Sequence, residues 1–210
     1  MFNSNQKTVL YESYIGCVIS IVLPLEMEGF LKRLIFLLGI GLPLLSHALD
    51  LQNSIFDRVG QEKGLDPYIL YAVALAESAY SPINDGTVAP YPYTLRTRTT
   101  PFYGRDLKDT QKKLVEILKN TNSVDVGMMQ INVRWHAHRV KNPLDLLDVE
   151  TNLQVAADIL NERLRANQNN WEKSLAQYHS FDSDRGQKYA KSVLAIYSRL
   201  VNNQNSVLLW

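Results

Sequence analysis

The segment from Leu70 to Pro82, LYAVALAESAYSP, carries one charged residue, Glu77, in an otherwise apolar run. A solvated helix would spread its charges over several turns, yet the nine residues from Tyr68 to Ala76 carry none. On a period of 3.6 residues, Val73 and Ala74 share the stripe of Glu77. The pattern therefore predicts a helix whose single carboxylate lies at the edge of an apolar surface.

A carboxylate in such surroundings has a chemical use. Burial disfavours the charged form of a carboxylic acid, so the proton stays available to a general acid near neutral pH. Glu77 is therefore a candidate catalytic acid. The alternative is a glutamate at a helix end that is turned to solvent or paired with an arginine.

The remaining pattern predicts a mainly α domain of six or seven helices. The apolar helix is expected to run from Pro67 to about Ala79. Asp66 followed by Pro67 is typical of a helix start, and Pro82 would end the helix. Gly127 is expected to form a tight turn that leads into a short helix, and 143–148 is expected to be a connector. The other predicted helices are Asp50–Lys63, Arg105–Asn120, Glu150–Ala166, Trp171–His179 and Gly186–Val201.

The segment from about 83 to 125 interrupts this helical pattern. It contains VAPYPYTLRTRTTPFYG, in which the alternation of TLRTRTT is typical of a short strand. We expect an irregular insertion with at most a small β-hairpin. With 46% hydrophobic and 20% charged residues, the composition is that of a globular protein. A formal net charge of +1 argues against a nucleic-acid binder that relies on phosphate contacts.

Residues 1–48 read as a leader that precedes a catalytic domain at 49–210. Lys32 and Arg33 precede an apolar run from Leu34 to Leu45, and Ser46-His47-Ala48 fits a signal-peptidase site. We expect cleavage after Ala48 and no stable membrane span afterwards, because the apolar run is too short to cross a bilayer comfortably. An uncleaved anchor and a buried helix are the alternatives. Residues 1–26 are interpreted as upstream of a true start at Met27.

The single cysteine, Cys17, lies in this leader. Tyr14 occupies the position where a lipoprotein signal has an aliphatic residue, which argues against lipidation. The processed chain would contain no cysteine. Its stability must therefore come from its core and not from disulfides.

Two further clusters are candidate ligand sites. In VDVGMMQIN, Met129 offers an adaptable apolar wall, while Gln130 and Asn132 offer amide groups that suit an N-acetyl sugar. In SLAQYHS, Tyr178 and His179 could stack on a ligand and hydrogen-bond to it. The alternatives are a tight turn with core methionines and a helix end with an inward tyrosine. No cofactor or metal is expected, because the histidines 136, 138 and 179 lack acidic or cysteine ligands at metal spacing.

Residues 51–200 resemble the soluble lytic transglycosylases, lysozyme-like enzymes that cleave peptidoglycan. The resemblance rests on ALAESAYSP, VGMMQIN, DVETNLQVAADIL, LAQYHS and YAKSVLAIY, which occur in the order of the family's landmarks. It implies an α+β, lysozyme-like fold in which Glu77 is the sole catalytic carboxylate. It also implies that Met129 and Gln130 line the glycan cleft, that Tyr178 orients the substrate, and that Ser78 hydrogen-bonds its N-acetyl or lactyl group.

The chain departs from the family at two places. His179 stands where the family usually has asparagine, and the 83–125 insertion replaces a short connector. The insertion resembles the subset of these enzymes associated with conjugative or type IV secretion systems, which implies a periplasmic location and such partners. Its tyrosines 91, 93 and 103 could form one wall of the cleft, or the insertion could be a docking surface.

The resemblance implies a reaction in which Glu77 protonates the glycosidic oxygen and then accepts the C6 hydroxyl proton, closing a 1,6-anhydro ring. One rival is a hydrolytic muramidase, in which Asp85 or Asp125 would hold a water molecule. Others are a non-catalytic glycan-binding or scaffold protein and an interaction protein with an uncleaved membrane anchor.

Overall fold

Our computed structural model describes residues 49–81 and 88–205. The compact unit that carries the fold begins at Leu51. The expected leader at 1–48 and Asp85 lie outside the described residues. Within the described ranges, no helix combines the length and the apolar character that crossing a bilayer requires.

Seven α-helices form most of the described chain. Two 3₁₀ segments, at Ala137–Arg139 and Pro143–Leu147, join α4 to α5. The helices are α1 (Ile55–Lys63), α2 (Pro67–Ser78), α3 (Leu107–Leu118), α4 (Val133–His136), α5 (Val149–Ala166), α6 (Trp171–His179) and α7 (Ser183–Asn205).

Helix α2 lies at the centre of the helical layer. It begins where the sequence predicts, since the Asp66 side chain accepts a hydrogen bond from the Tyr68 N–H and Pro67 occupies the first turn. It packs against α1 and α7, and five of its apolar side chains are at most 3% exposed: Ile69, Leu70, Ala72, Val73 and Ala74. Burial of these side chains supplies the main stabilisation of the core.

Several helix boundaries differ from the predicted ones. The predicted start of the first helix at Asp50 is wrong, because Ser54 caps α1 by accepting a hydrogen bond from the Asp57 N–H. Helix α7 begins at Ser183 and is longer at both ends than the predicted Gly186–Val201. The expected connector at 143–148 is a 3₁₀ helix capped by Asn142.

Six short strands form two antiparallel sheets. The predicted hairpin is confirmed: β3 (Thr94–Arg96) pairs with β4 (Pro101–Tyr103). The sheet extends beyond it, because β3 also pairs with β5 (Asp125–Val126), which pairs with β6 (Ile131–Asn132). Strands β1 (Ala79–Tyr80) and β2 (Ala89–Pro90) form the second sheet. A mainly helical domain with a small antiparallel sheet confirms the predicted α+β class.

The turn between β5 and β6 contains the expected glycine. Gly127 has a φ of 79°, a conformation that a side chain would strain. A Cβ at this position would also come within 2.4 Å of Asn152 Nδ2 on α5. The glycine therefore permits both the turn and its close contact with α5.

Candidate active site

One cavity of about 730 Å³ lies between the sheet and the helices. The sheet contributes residues of β3, β5 and β6, and the helical layer contributes residues of α2, α4, α5 and α6. Of the residues predicted to form a site, the cavity wall includes Glu77, Gln130, Asn132, Tyr178 and His179.

Glu77 is the penultimate residue of α2 and faces this cavity. Its side chain is only 9% exposed, and its Oε1 lies 3.6 Å from Nδ1 of His179. Within the described chain, Glu77 is therefore neither solvent-exposed nor paired with an arginine. The structure places a buried carboxylate in a cavity, as the apolar surroundings of Glu77 predict.

Two tyrosines border the carboxylate. Burial raises the pKa of Tyr178 well above its usual value, and the negative charges of Glu77 and Asp125 add to this effect. Burial and the charge of Glu77 do the same to the pKa of Tyr189. Both phenols are therefore neutral over the physiological pH range and keep their protons as hydrogen-bond donors.

Tyr178 also connects α6 to the turn between β5 and β6. Its hydroxyl donates a hydrogen bond of 3.0 Å to the Met129 carbonyl, directly before Gln130. Met129 itself is fully buried, so its carbonyl and not its side chain contributes to the site. The structure thus links the expected substrate-orienting tyrosine to the segment that carries Gln130.

We predict that Tyr178→Phe reduces turnover about fivefold, because losing one hydrogen bond costs about 1 kcal/mol. The rate of cleavage of the expected substrate, peptidoglycan, measures this effect. Tyr68→Phe, at the start of α2 and outside the cavity, is the matched control. Equal turnover in the two variants would contradict a role of this hydrogen bond.

Gln130 lies in the turn between β5 and β6 and lines the cavity. Its φ is 49°, and its Nε2 donates to the carbonyls of Gly127 and Thr94. Its Oε1 is buried and accepts no hydrogen bond from the described residues. A buried polar atom of this kind is costly unless a ligand or water satisfies it. A sugar could use this oxygen as a hydrogen-bond acceptor only after the side chain moved to uncover it.

Ser78 lies elsewhere. It is buried, donates to the Ala74 carbonyl at 3.1 Å and accepts from the Tyr91 N–H at 3.1 Å. It is absent from the residues that line the cavity. Its hydrogen bonds join α2 to the insertion.

Asp125, which the sequence analysis considers only for the hydrolytic alternative, also belongs to the cavity. It lies in β5 and lines the same cavity as Glu77. The pKa of Asp125 is raised above its usual value. Burial is the main cause and the charge of Glu77 adds to it, while the hydrogen bond of 2.7 Å from Asn132 Nδ2 partly offsets them. The cavity therefore contains two carboxylates that interact electrostatically.

Asn152, on α5, forms hydrogen bonds to the segment that carries Gln130. It is 1% exposed, and its Oδ1 accepts a hydrogen bond from the Met129 N–H at 2.8 Å. Its Nδ2 donates to the carbonyls of Val126 and Leu146, each at 2.9 Å. A single asparagine on the apolar face of a predicted helix is the sequence signal that could have identified this role.

The tyrosines of the insertion do not form a wall of the cavity. Tyr103 stacks on Tyr80 at 4.5 Å, and Tyr91 and Tyr93 pack edge to face. None of the tyrosines 91, 93 and 103 lines the cavity. The cavity instead has Trp135 and Phe181, which are 65% and 72% exposed. Such exposed rings offer apolar surface to a ligand.

Three arginines, at 96, 139 and 163, add positive charge to the cavity wall. Arg139 forms two hydrogen bonds, of 2.8 and 2.7 Å, with the carboxylate of Glu162. The Arg163 guanidinium lies 5.1 Å from the centre of the Phe181 ring. Among the described residues, no cluster of three histidine, cysteine or acidic side chains is placed to hold a metal ion.

Comparison with known proteins gives one family. The family model described as "Transglycosylase SLT domain" matches residues 54–193, a range that includes every residue lining the cavity. No curated protein matches the chain.

Proposed function

Because the chain belongs to the transglycosylase SLT family, we propose that it cleaves the β-1,4 bond between N-acetylmuramic acid and N-acetylglucosamine and closes a 1,6-anhydro ring. The family comprises lytic transglycosylases, which supports an enzyme of this kind that acts on peptidoglycan. The single observation that carries the proposal is the buried carboxylate of Glu77 in the wall of the cavity.

In the first step, protonated Glu77 donates its proton to the glycosidic oxygen. The bond from that oxygen to C1 of the muramic acid breaks, and N-acetylglucosamine leaves with a free C4 hydroxyl. The substrate's acetamido oxygen stabilises the positive charge at C1. This step requires Glu77 to carry a proton when it meets the glycosidic oxygen.

In the second step, the C6 hydroxyl oxygen of the muramic acid attacks C1. Its proton passes to the carboxylate of Glu77, which restores the acid. One residue thus acts first as acid and then as base, and no water is consumed. Gln130 and the exposed rings of Trp135 and Phe181, which line the cavity, would hold the sugars in place during both steps.

Analysis of the products tests the proposal. Purified peptidoglycan is incubated with the 49–210 protein, and the released fragments are measured by mass spectrometry. The proposal predicts fragments with 1,6-anhydro ends, whose masses lack the water that hydrolysis would add. Fragments with reducing ends would contradict it.

The presence of a second carboxylate, Asp125, in the cavity of Glu77 supports hydrolysis as a second candidate function. A carboxylate across the cavity from the acid could act as the second group that glycoside hydrolysis requires. The two functions differ in the effect of Asp125→Asn.

For transglycosylation, we predict that Asp125→Asn slows the reaction about tenfold and leaves the anhydro product unchanged. The reason is that the charge of Asp125 would stabilise the developing positive charge on the sugar without taking part in bond formation. Fragment release and product mass measure both effects, with the exposed Asp184→Asn on α7 as the matched control. Loss of all activity, together with reducing-end products from the wild type, would support hydrolysis.

The place of action is a further part of the proposal. The basic and apolar pattern of 27–48 supports export to the periplasm with cleavage after Ala48. Mass spectrometry of the protein from cells should then show an N-terminus at Leu49. Retention of the leader would contradict this part.

We further propose that the enzyme opens the wall locally for a conjugation or type IV secretion apparatus. The support is the resemblance of the 83–125 insertion to that subset of the family. The hairpin β3–β4 and helix α3 give the insertion an ordered surface that could bind such a partner. A gene isolated from any cluster of secretion genes would argue against this role.

A further inference from the structure

We infer that Arg163 binds a carboxylate on the substituent that distinguishes muramic acid from N-acetylglucosamine. The inference rests on the proposed function and deepens it, because it names the part of peptidoglycan that this side chain would recognise. The substituent is a lactyl group, which in intact peptidoglycan carries a stem peptide with free carboxylates. Ser78, the residue expected to contact the lactyl group, is buried and does not line the cavity.

The guanidinium of Arg163 is available to a ligand. Arg163 lies in the last turn of α5 and lines the cavity. Its side chain forms no ion pair and no hydrogen bond within the part of the chain that the structure describes. The Nε atom is buried, but the two terminal nitrogens are not. Terminal nitrogens of this kind form a planar fork that fits the two oxygens of a carboxylate.

Neighbouring acidic groups do not neutralise this charge. Glu162, the preceding residue, uses both oxygens to accept hydrogen bonds of 2.8 and 2.7 Å from Arg139. Glu77 and Asp125 also line the cavity, but neither forms an ion pair with Arg163. Arginine stays protonated at all relevant pH values. The cavity therefore presents a positive charge whose partner would have to come from a ligand.

The ring of Phe181 lies beneath the guanidinium. The central carbon of the Arg163 guanidinium is 5.1 Å from the ring centre, a distance typical of a cation–π interaction. Phe181 lies two residues beyond His179, whose Nδ1 is 3.6 Å from Glu77 Oε1. Two residues of extended chain span at most about 7 Å. A stem peptide of a few residues therefore reaches Arg163 from the sugar whose bond Glu77 would cleave.

A second cavity gives such a peptide room beyond the first. Its volume is about 450 Å³. Three residues line both cavities: Gln177, Ser180 and Phe181. The charged side chains that line the second cavity have both signs: Glu172, Lys173 and Asp182. A surface of this kind suits a peptide that carries both carboxylates and amino groups.

The variant Arg163→Gln tests the inference through binding. Three soluble probes are compared by isothermal titration calorimetry: peptidoglycan fragments with their peptides, the same glycan after removal of the peptides, and oligomers of N-acetylglucosamine. The first two carry carboxylates, since removal of the peptides frees those of the lactyl groups, whereas the third carries none. Every protein also carries Glu77→Gln, so that no probe is cleaved.

We expect Arg163→Gln to weaken the binding of at least one carboxylate probe about tenfold, because a charge-assisted pair of hydrogen bonds is lost. Binding of N-acetylglucosamine oligomers should not change. Arg165→Gln is the matched control, because Arg165 is exposed on the same helix and lines neither cavity. Arg163→Lys keeps the charge without the planar fork and should bind with intermediate affinity. It replaces Arg163→Gln if that variant fails to fold.

The probes also identify the source of the carboxylate. Weaker binding of the peptide-bearing fragments alone assigns it to the stem peptide, and weaker binding of the peptide-free glycan alone assigns it to the lactyl group. Weaker binding of both shows that the site accepts either. Each of these results supports the inference.

Three results would overturn the inference: equal affinities of Arg163→Gln and Arg165→Gln for both carboxylate probes, the same loss for all three probes, or no binding of a carboxylate probe to any of the proteins. These readouts do not depend on cleavage, so the inference can fail while the proposed function stands. If the wild type does not cleave peptidoglycan, the proposed function fails, and the binding of the probes still decides the role of Arg163.

Discussion

Glu77→Gln is expected to reduce peptidoglycan cleavage about a thousandfold or more. Glutamine has nearly the same shape as glutamate but has no proton to donate at any pH in use. General acid–base catalysis contributes about a hundredfold to ten-thousandfold, and here both steps depend on the same side chain. The rate of soluble-fragment release measures the effect, and a thermal unfolding midpoint shows that the fold is kept.

The matched control is Glu150→Gln, in the first turn of α5. Glu150 is half exposed and lies 3.8 Å from Arg58 at the surface, where an ion pair contributes little to stability. The same chemical change is thus made outside the cavity. Cleavage by Glu77→Gln within about tenfold of this control would contradict the catalytic role of Glu77.

Asn152→Ala should lower the free energy of unfolding by about 3 kcal/mol or more. The change leaves the Met129 N–H and the carbonyls of Val126 and Leu146 without their partner, in a position that is 1% exposed. Each buried group left unsatisfied costs about 1–3 kcal/mol. Urea unfolding followed by circular dichroism measures the loss. Cleavage should fall as well, because the asparagine fixes the turn that carries Gln130.

Asn161→Ala, on the same helix, is the control for this variant. Its Nδ2 donates one hydrogen bond, of 2.9 Å, to the Lys63 carbonyl in a half-buried position. We expect a loss of about 1 kcal/mol. Equal losses for the two variants would show that Asn152 does not hold the turn as described.

The centre of the fold was predictable because its signals are local. The start of α2 depends on Asp66 and Pro67, and the turn after β5 depends on Gly127, so short stretches of sequence specify both. The hairpin β3–β4 likewise follows from a short alternating pattern. The start of α1 at Ile55 was missed because capping by Ser54 competes with an apolar stripe that continues upstream.

The site was predictable only in part, because its geometry depends on pairing between distant segments. Asp125 reaches the cavity of Glu77 only because β5 pairs with β3 of the insertion. The stack of Tyr189 on His179 requires the packing of α7 against α6. The exposure of Trp135 and Phe181 is likewise a property of the assembled surface. The residue types were visible in the sequence, but their distances were not.

The most direct test of the central claim is cleavage of purified peptidoglycan in water enriched in heavy oxygen. Hydrolysis would place an oxygen atom from water at C1 of the new sugar end, whereas closure of a 1,6-anhydro ring uses the C6 oxygen already in the substrate. We predict anhydro ends without heavy oxygen from the wild type, and no fragments from Glu77→Gln. Heavy oxygen in the newly formed ends of the wild-type products would contradict the account and identify a hydrolase.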